Sequence, residues 1–248
     1  MTTMQEKTVL VTGGAGGIGT AICQRVAESG ASVILTYHNS KQSAETLLAS
    51  LPGTGHLALQ TRVDETPAVQ ELAERVQSQH GKLDVLVNCA GTTRFVPHHD
   101  LDALDDNLID EIFRINWRGA FACVRAFRSL LERGSDPLVI NISSIAAVSG
   151  MGSNVAYCAS KAALDSMTRS LARALAPTIR VVSLSPGVVD TEFIRGLDPS
   201  WRKDQLCRTP LQRFPSPEEI GEAVVALVTT LTSMTGCILP LDGGRPLG

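Results

Sequence analysis

The sequence predicts an α/β fold of one domain, a doubly wound parallel sheet of about seven strands with helices on both faces. Two observations carry this expectation. Runs of Val, Ile and Leu too continuous for a sheet wetted on one side alternate strictly with helical patterns. No repeat, low-complexity tract or linker divides the 248 residues, so residues 1–248 read as a single unit.

The elements follow in order. Thr8–Thr12 is the first strand, and a glycine-rich turn leads from it into a helix at Gly17–Ser29. The strand Val33–Tyr37 precedes the helix Lys41–Leu51, and His56–Gln60 precedes the helix Pro67–Gln79. Leu83–Asn88 is followed by one long helix, Leu104–Leu131, and Leu138–Ser143 by the helix Val155–Leu175, which Pro177 ends. After Ile179–Ser185, the last helix spans Ser216–Thr230, with a Ser216 cap, Pro217 in its first turn and Glu218-Glu219 at its positive end. Cys237–Leu241 closes the sheet. Only Asp190–Arg213 breaks the rhythm, mixing Gly196, Pro199 and Pro210 with Phe193 and Trp201. A long irregular segment in a tightly punctuated chain reads as a substrate lid, here over residues 190–214.

Composition excludes several classes of function. The formal net charge is −3 with acids and bases interspersed, so neither nucleic acid nor a membrane surface is an expected partner. No apolar stretch approaches the roughly 18 residues that span a bilayer. The N-terminus lacks the basic-then-apolar pattern of a signal peptide, and a cytoplasmic location is expected. Six scattered cysteines, without a C-x-x-C pair, read as reduced core residues. His98-His99 has no ligand partner at metal-site spacing, so no metal is expected.

The chemistry concentrates in three places. Tyr157 and Lys161 stand at i and i+4 of a helix and share a face, with Ser144 at the end of the preceding strand. A cation beside a phenol, whose free pKa is near ~10, favours the phenolate and suits proton transfer to an alcohol oxygen. Ser144 offers that oxygen a hydrogen bond. Second, Leu10-Val-Thr-Gly-Gly-Ala-Gly-Gly-Ile-Gly19 runs from strand into helix, where glycines admit a pyrophosphate to the helix N-terminus. Its strand-turn-helix setting is that of a Rossmann-type dinucleotide site. Third, no acid lies between Glu28 and Glu45, so the second strand ends without the carboxylate that would repel a ribose 2′-phosphate. Tyr37, His38, Asn39, Ser40 and Lys41 stand there instead, favouring NADP(H) over NAD(H).

These landmarks together resemble the short-chain dehydrogenase/reductase family over essentially the whole chain. Thr12-Gly-Gly-Ala-Gly-Gly-Ile-Gly19 matches the family's T-G-x-x-x-G-x-G loop through Thr12, Gly13, Gly17, Ile18 and Gly19. Asn88, Ala90 and Gly91 match N-x-A-G; Pro186, Gly187, Val189 and Thr191 fall in P-G-x-x-x-T, which in the family borders the nicotinamide. Ser144, Tyr157 and Lys161 stand at the spacing of the family's catalytic residues, and Asn116 resembles its fourth member, which bends a helix and holds a proton-relaying water. The resemblance implies that Tyr157 is the general acid/base and that Lys161 binds the nicotinamide ribose and lowers the Tyr157 pKa. Two departures stand out. Val63 carries over at the adenine site, but Arg62 replaces the family's usual aspartate. Gly16 stands where NADP-preferring members tend to carry a base, which keeps NAD(H) open.

The implied activity is the interconversion of a small-molecule carbonyl and a secondary alcohol. Thr93, Arg94, Phe95, Ala146, Met151, Phe193 and Trp201 are candidates for the substrate pocket, with Arg94, Arg195 and Arg202 able to meet an anion. A 3-oxoacyl thioester reductase acting on a carrier protein is one specific alternative, and a catalytically silent cofactor-sensing protein is an alternative of another class. Small residues on Val155–Leu175 (Ala156, Ala159, Ala162, Ala163) suit helix pairing, and the family's habit implies a homotetramer.

Overall fold

The computed structural model describes residues 3–247; Met1, Thr2, Gly248 and the Phe193 side chain lie outside the described residues. Seven strands, β1 (Thr8–Thr12), β2 (Ser32–Tyr37), β3 (Leu57–Gln60), β4 (Val85–Asn88), β5 (Leu138–Ile142), β6 (Arg180–Pro186) and β7 (Ile238–Leu241), form one sheet in the order β3-β2-β1-β4-β5-β6-β7. Every neighbouring pair is parallel. Among the described residues ten α-helices follow in chain order: α1 (Gly17–Glu28), α2 (Lys41–Ser50), α3 (Thr66–His80), α4 (Asp106–Phe113), α5 (Ala120–Leu131), α6 (Ala146–Ser149), α7 (Val155–Leu175), α8 (Glu192–Arg195), α9 (Pro199–Cys207) and α10 (Pro217–Thr229).

Alternate residues of each strand face opposite sides, which builds two cores. Val9, Val11, Val33 and Leu35 pack with Ile22 and Val26 of α1 and with Ile220 and Val224 of α10. Leu10, Ile34, Leu86 and Val139 pack on the other face with Val76 of α3, Phe127 of α5 and Ala172 of α7. The strand order reverses between β1 and β4, and the crevice at their carboxyl ends is where open parallel sheets bind ligands.

Several elements differ from expectation for physical reasons. β3 and β7 are only half-buried, because each is an edge strand. His56 precedes β3 because its ring nitrogen Nδ1 accepts the Val33 amide at 3.0 Å. The helix expected over Leu104–Leu131 starts at Asp106, where the Asp105 carboxylate accepts the Leu108 amide, and is interrupted by a π-helical turn at Arg114–Gly119. The segment 190–214 is less irregular than its composition implies. Pro199 occupies the first turn of α9 behind an Asp198 cap, a position that starts a helix. Cys207 is exposed and Cys89 and Cys237 half-buried, so only Cys23, Cys123 and Cys158 are core residues.

Candidate active site

The glycine turn is shaped by close backbone contact. Gly13 has φ +65°, and a Cβ there would lie 2.9 Å from the Ala90 Cα. A Cβ on Gly19 would overlap the Gly13 carbonyl oxygen, and one on Gly17 would come within 3.1 Å of Thr191 Cγ2. Thr12 locks the opposite wall: its Oγ1 accepts the Cys89 and Ala90 amides, both at 3.1 Å. α1 opens at Gly16 without a side-chain cap, leaving its positive end to face the crevice. A narrow, glycine-lined cradle at an uncapped helix N-terminus fits a pyrophosphate. Gly19→Ala is therefore expected to weaken dinucleotide binding at least about tenfold and to cost about 1–3 kcal/mol of stability by overpacking. Titrated cofactor fluorescence and thermal unfolding would check both.

From this turn a cleft of about 770 Å³ runs across the carboxyl ends of the strands. Of the residues expected to hold cofactor, Gly13, Gly17, Ile18, Gly19, Tyr37, His38, Ser40, Val63, Ala90, Gly91, Tyr157, Lys161 and Thr191 line it. Thr12, Asn88, Pro186, Gly187 and Val189 do not line it. Asn88 lies beneath the floor, donating to the Asn141 Oδ1 at 2.9 Å. The Pro186 carbonyl accepts the Ile145 amide at 3.0 Å, Val189 is core, and Gly187 packs on Asp242.

At the flank, Arg62 is committed to ion pairs with Asp64 (2.9 Å) and Glu65 (3.1 Å). Asp64, only 7% exposed at its side chain, also meets Arg114 at 3.1 Å. The Arg62 hydrogen bond holds the Asp64 carboxyl below the usual carboxylate range. Asp64 and Arg114 line the cleft and escaped the sequence reading; the Arg62-x-Asp64-Glu65 charge alternation was the available signal.

At the inner end, Asn116 sits on the π-turn and is clamped to a loop 24 residues away. Its Oδ1 accepts the Thr92 amide at 2.8 Å, while Nδ2 donates to the Thr92 carbonyl and to Ser160 Oγ, both at 3.1 Å. A residue bonding sideways in this way accounts for the local π geometry. Lys161 is 7% exposed, donates to the Ile142 carbonyl at 2.8 Å, and lies 5.8 Å from the centroid of the Tyr157 ring. Burial pulls the Lys161 pKa down to about 8, against smaller raising effects of Cys89 and Asp165. The Tyr157 pKa is raised, not lowered: burial outweighs the hydrogen bond from Ser144 that pulls it down. In this arrangement the Lys161 ammonium directs one of its N–H groups at the Ile142 carbonyl.

Two loops form the outer wall. Asn154 caps α7 by accepting the Tyr157 amide at 2.7 Å and donates to the Arg94 carbonyl at 2.7 Å. The Val96 amide donates to the Ser153 carbonyl at 2.8 Å, and Thr93 Oγ1 meets Ser153 Oγ at 2.5 Å. A Cβ on Gly152 would lie 3.0 Å from Tyr157 Cδ1, so this loop packs directly on the tyrosine ring. Asn154, three residues before Tyr157, carried an N-cap signal that the sequence reading left unused. Of the pocket candidates, Thr93, Arg94, Phe95 and Met151 are exposed, Ala146 is buried and Trp201 is 37% exposed.

A family model described as enoyl-(acyl carrier protein) reductase matches residues 13–245. A cis-4-hydroxycyclohexanecarboxylate dehydrogenase from Sinomonas cyclohexanicum is 35% identical over 244 residues, covering 96% of this chain and 96% of its own. A 3-oxoacyl-acyl-carrier-protein reductase from Staphylococcus aureus is 31% identical over 242 residues, covering 96% of this chain and 97% of its own. A solved short-chain dehydrogenase/reductase (glucose/ribitol dehydrogenase) from Brucella melitensis matches with TM-score 0.91 at 28% identity, covering 99% of each chain. Sequence similarity along almost the whole length, on the same fold, places this protein in the short-chain dehydrogenase/reductase family as an oxidoreductase.

Proposed function

We propose that the protein interconverts a carbonyl and a secondary alcohol, with Tyr157 as general acid/base, Ser144 and Lys161 beside it and Asn116 behind them. One observation carries this reading: Tyr157 and Lys161 line the same cleft as the glycine turn of α1. A bound nicotinamide dinucleotide supplies or takes the hydride there. In reduction, the Tyr157 phenol gives its proton to the carbonyl oxygen, and the Ser144 hydroxyl holds that oxygen as charge gathers on it. Lys161 holds a positive charge in the buried end of the cleft, and Asn116 fixes the Thr92 loop that borders it.

NADP(H) is the favoured cofactor. Tyr37, His38, Asn39 and Ser40 line the flank, Ser40 opens α2 with no side-chain cap bond, and the first turn of α2 carries no acid. A charged hydrogen bond to a 2′-phosphate is worth about 1.5–3 kcal/mol, or roughly ten- to a hundredfold in affinity. A panel of ketones and alcohols assayed with both cofactors is expected to give a kcat/KM higher with NADPH by at least that lower factor; equal or better use of NADH would overturn the preference.

Residues 190–214, with α8 and α9, serve as the lid in this reading, since Thr191 at their start touches both the cleft and Gly17. The exposed small residues Ala159 and Ala162 on α7 support assembly into a homotetramer, which sedimentation would test. Six cysteines without a disulfide among the described residues suit a reducing cytoplasm. The similarity to a 3-oxoacyl-acyl-carrier-protein reductase supports a second reading, reduction of a carrier-bound 3-oxoacyl thioester.

A further inference from the structure

Resting on the oxidoreductase reading, we infer that the cleft selects an uncharged, apolar-bodied ketone or alcohol presented as a free small molecule, and disfavours acyl groups borne on phosphate-bearing carriers. Two independent features of the entrance carry this.

The first is apolar exposure. Phe95 is 74% exposed, Val148 73% and Met151 55%, with Val155 exposed beside them. Phe95 and Met151 stand on the two loops that hydrogen bonds join at Ser153 and Asn154 and that pack on the Tyr157 ring through Gly152, with Val148 on α6 and Val155 at the start of α7. Large side chains left in water on both loops of one entrance mark a surface that an apolar ligand covers.

The second is charge. Residues 98–111 contain six acids (Asp100, Asp102, Asp105, Asp106, Asp110 and Glu111) and no Lys or Arg. All six are exposed, and Glu111 lines the cleft itself. The arginines named for an anion are engaged: Arg94 pairs with Asp105 at 3.2 Å, which leaves five acids of the run in excess, and Arg195 and Arg202 share the single Asp190 carboxylate at 3.2 and 3.1 Å, a net of one positive charge. On α9, Lys203 is exposed and adds a further base. An approaching polyanion therefore meets an excess of like charge, felt within the Debye length of about 8 Å at physiological salt. Such repulsion is a specificity device that leaves neutral ligands untouched. A coenzyme A thioester carries several phosphate charges, and a carrier protein's pantetheine arm is tethered through a phosphodiester, so both are penalised while the same acyl group on a neutral thiol is not.

The test compares 3-oxobutanoyl-coenzyme A with the N-acetylcysteamine thioester of the same acid, beside a set of uncharged cyclic and aryl ketones. Calorimetric binding to the Tyr157→Phe protein with NADPH accompanies turnover by the wild type. The neutral thioester is expected to bind at least about tenfold tighter than the coenzyme A thioester, and raising salt should strengthen only the latter. The pair Asp100→Lys and Asp102→Lys, both exposed loop positions away from Tyr157, is expected to narrow the gap. Tighter binding of the coenzyme A thioester, weakening as salt rises, overturns the inference while leaving the oxidoreductase reading intact. Absence of turnover with every carbonyl overturns both.

Discussion

Tyr157→Phe is expected to lower kcat/KM by about a thousandfold while leaving the dissociation constant of the cofactor within about threefold, because a positioned general acid contributes roughly 10²–10⁴ to rate. The substitution removes one oxygen and keeps the ring that packs against Gly152 beneath the Asn154 cap of α7. Loss of turnover through misfolding is thereby separated from loss of the proton donor, and cofactor fluorescence gives the control. The direction of the pKa shift adds a second readout. Burial raises the Tyr157 pKa, so the phenol stays protonated through neutral pH and already holds the proton that reduction needs. Oxidation needs the phenolate. Its rate should therefore rise with pH across the range in which reduction stays flat, and a reduction rate that instead grows with pH would remove Tyr157 from the donor role. A residual rate above about a tenth of wild type would do the same, given the magnitude such catalysis carries.

What the sequence could and could not reveal divides along contact distance. Strands such as Thr8–Thr12 and Leu138–Ile142 are buried on both faces, so their apolar continuity is a local signal. The glycine turn and the pairing of Tyr157 with Lys161 are also local, one fixed by backbone approach and the other by helical periodicity. The π-turn at Arg114–Gly119 is not local, because it depends on Asn116 reaching Thr92 across 24 residues. Nor is the protonation of the site. The Tyr157–Lys161 spacing suggests an ammonium beside a phenol, but only the fold shows that burial shifts both groups and that Lys161 gives one of its three N–H donors to the Ile142 carbonyl. Pro199 misleads for a related reason: a proline marks a break or a first turn depending on the cap before it, here Asp198. Arg62, which stands where the family usually has an aspartate, is tied to Asp64 and Glu65, partners that only the folded loop shows.

Lys161→Met is the variant in which these electrostatics become measurable without any substrate. Burial lowers the Lys161 pKa from 10.5 to about 8. Below that value the folded protein holds a buried ammonium that the unfolded chain holds in water. A shift of this size corresponds to a penalty on the order of 3 kcal/mol, present in full below about pH 8 and relieved as pH rises toward the unfolded value. The unfolded chain binds more protons in that window, so wild-type stability gains with pH relative to the Lys161→Met protein. The substitution also strands the Ile142 carbonyl, at a cost of about 1–3 kcal/mol, but that cost does not titrate. Shifted groups that Lys161 does not influence, Lys7 among them, are common to both proteins and cancel in the difference, whereas Cys89 and Asp165, which its charge lowers, follow the substitution. The gap in unfolding free energy between cofactor-free wild type and variant should therefore move by a few kcal/mol in favour of wild type from about pH 7.5 to 10. Turnover should be lost in the variant throughout, as expected for a site that keeps a costly charge for its chemistry. Parallel stability curves would mean that the ammonium is solvated, and a solvated ammonium has too little field at the phenol to assist the proton transfer proposed for Tyr157.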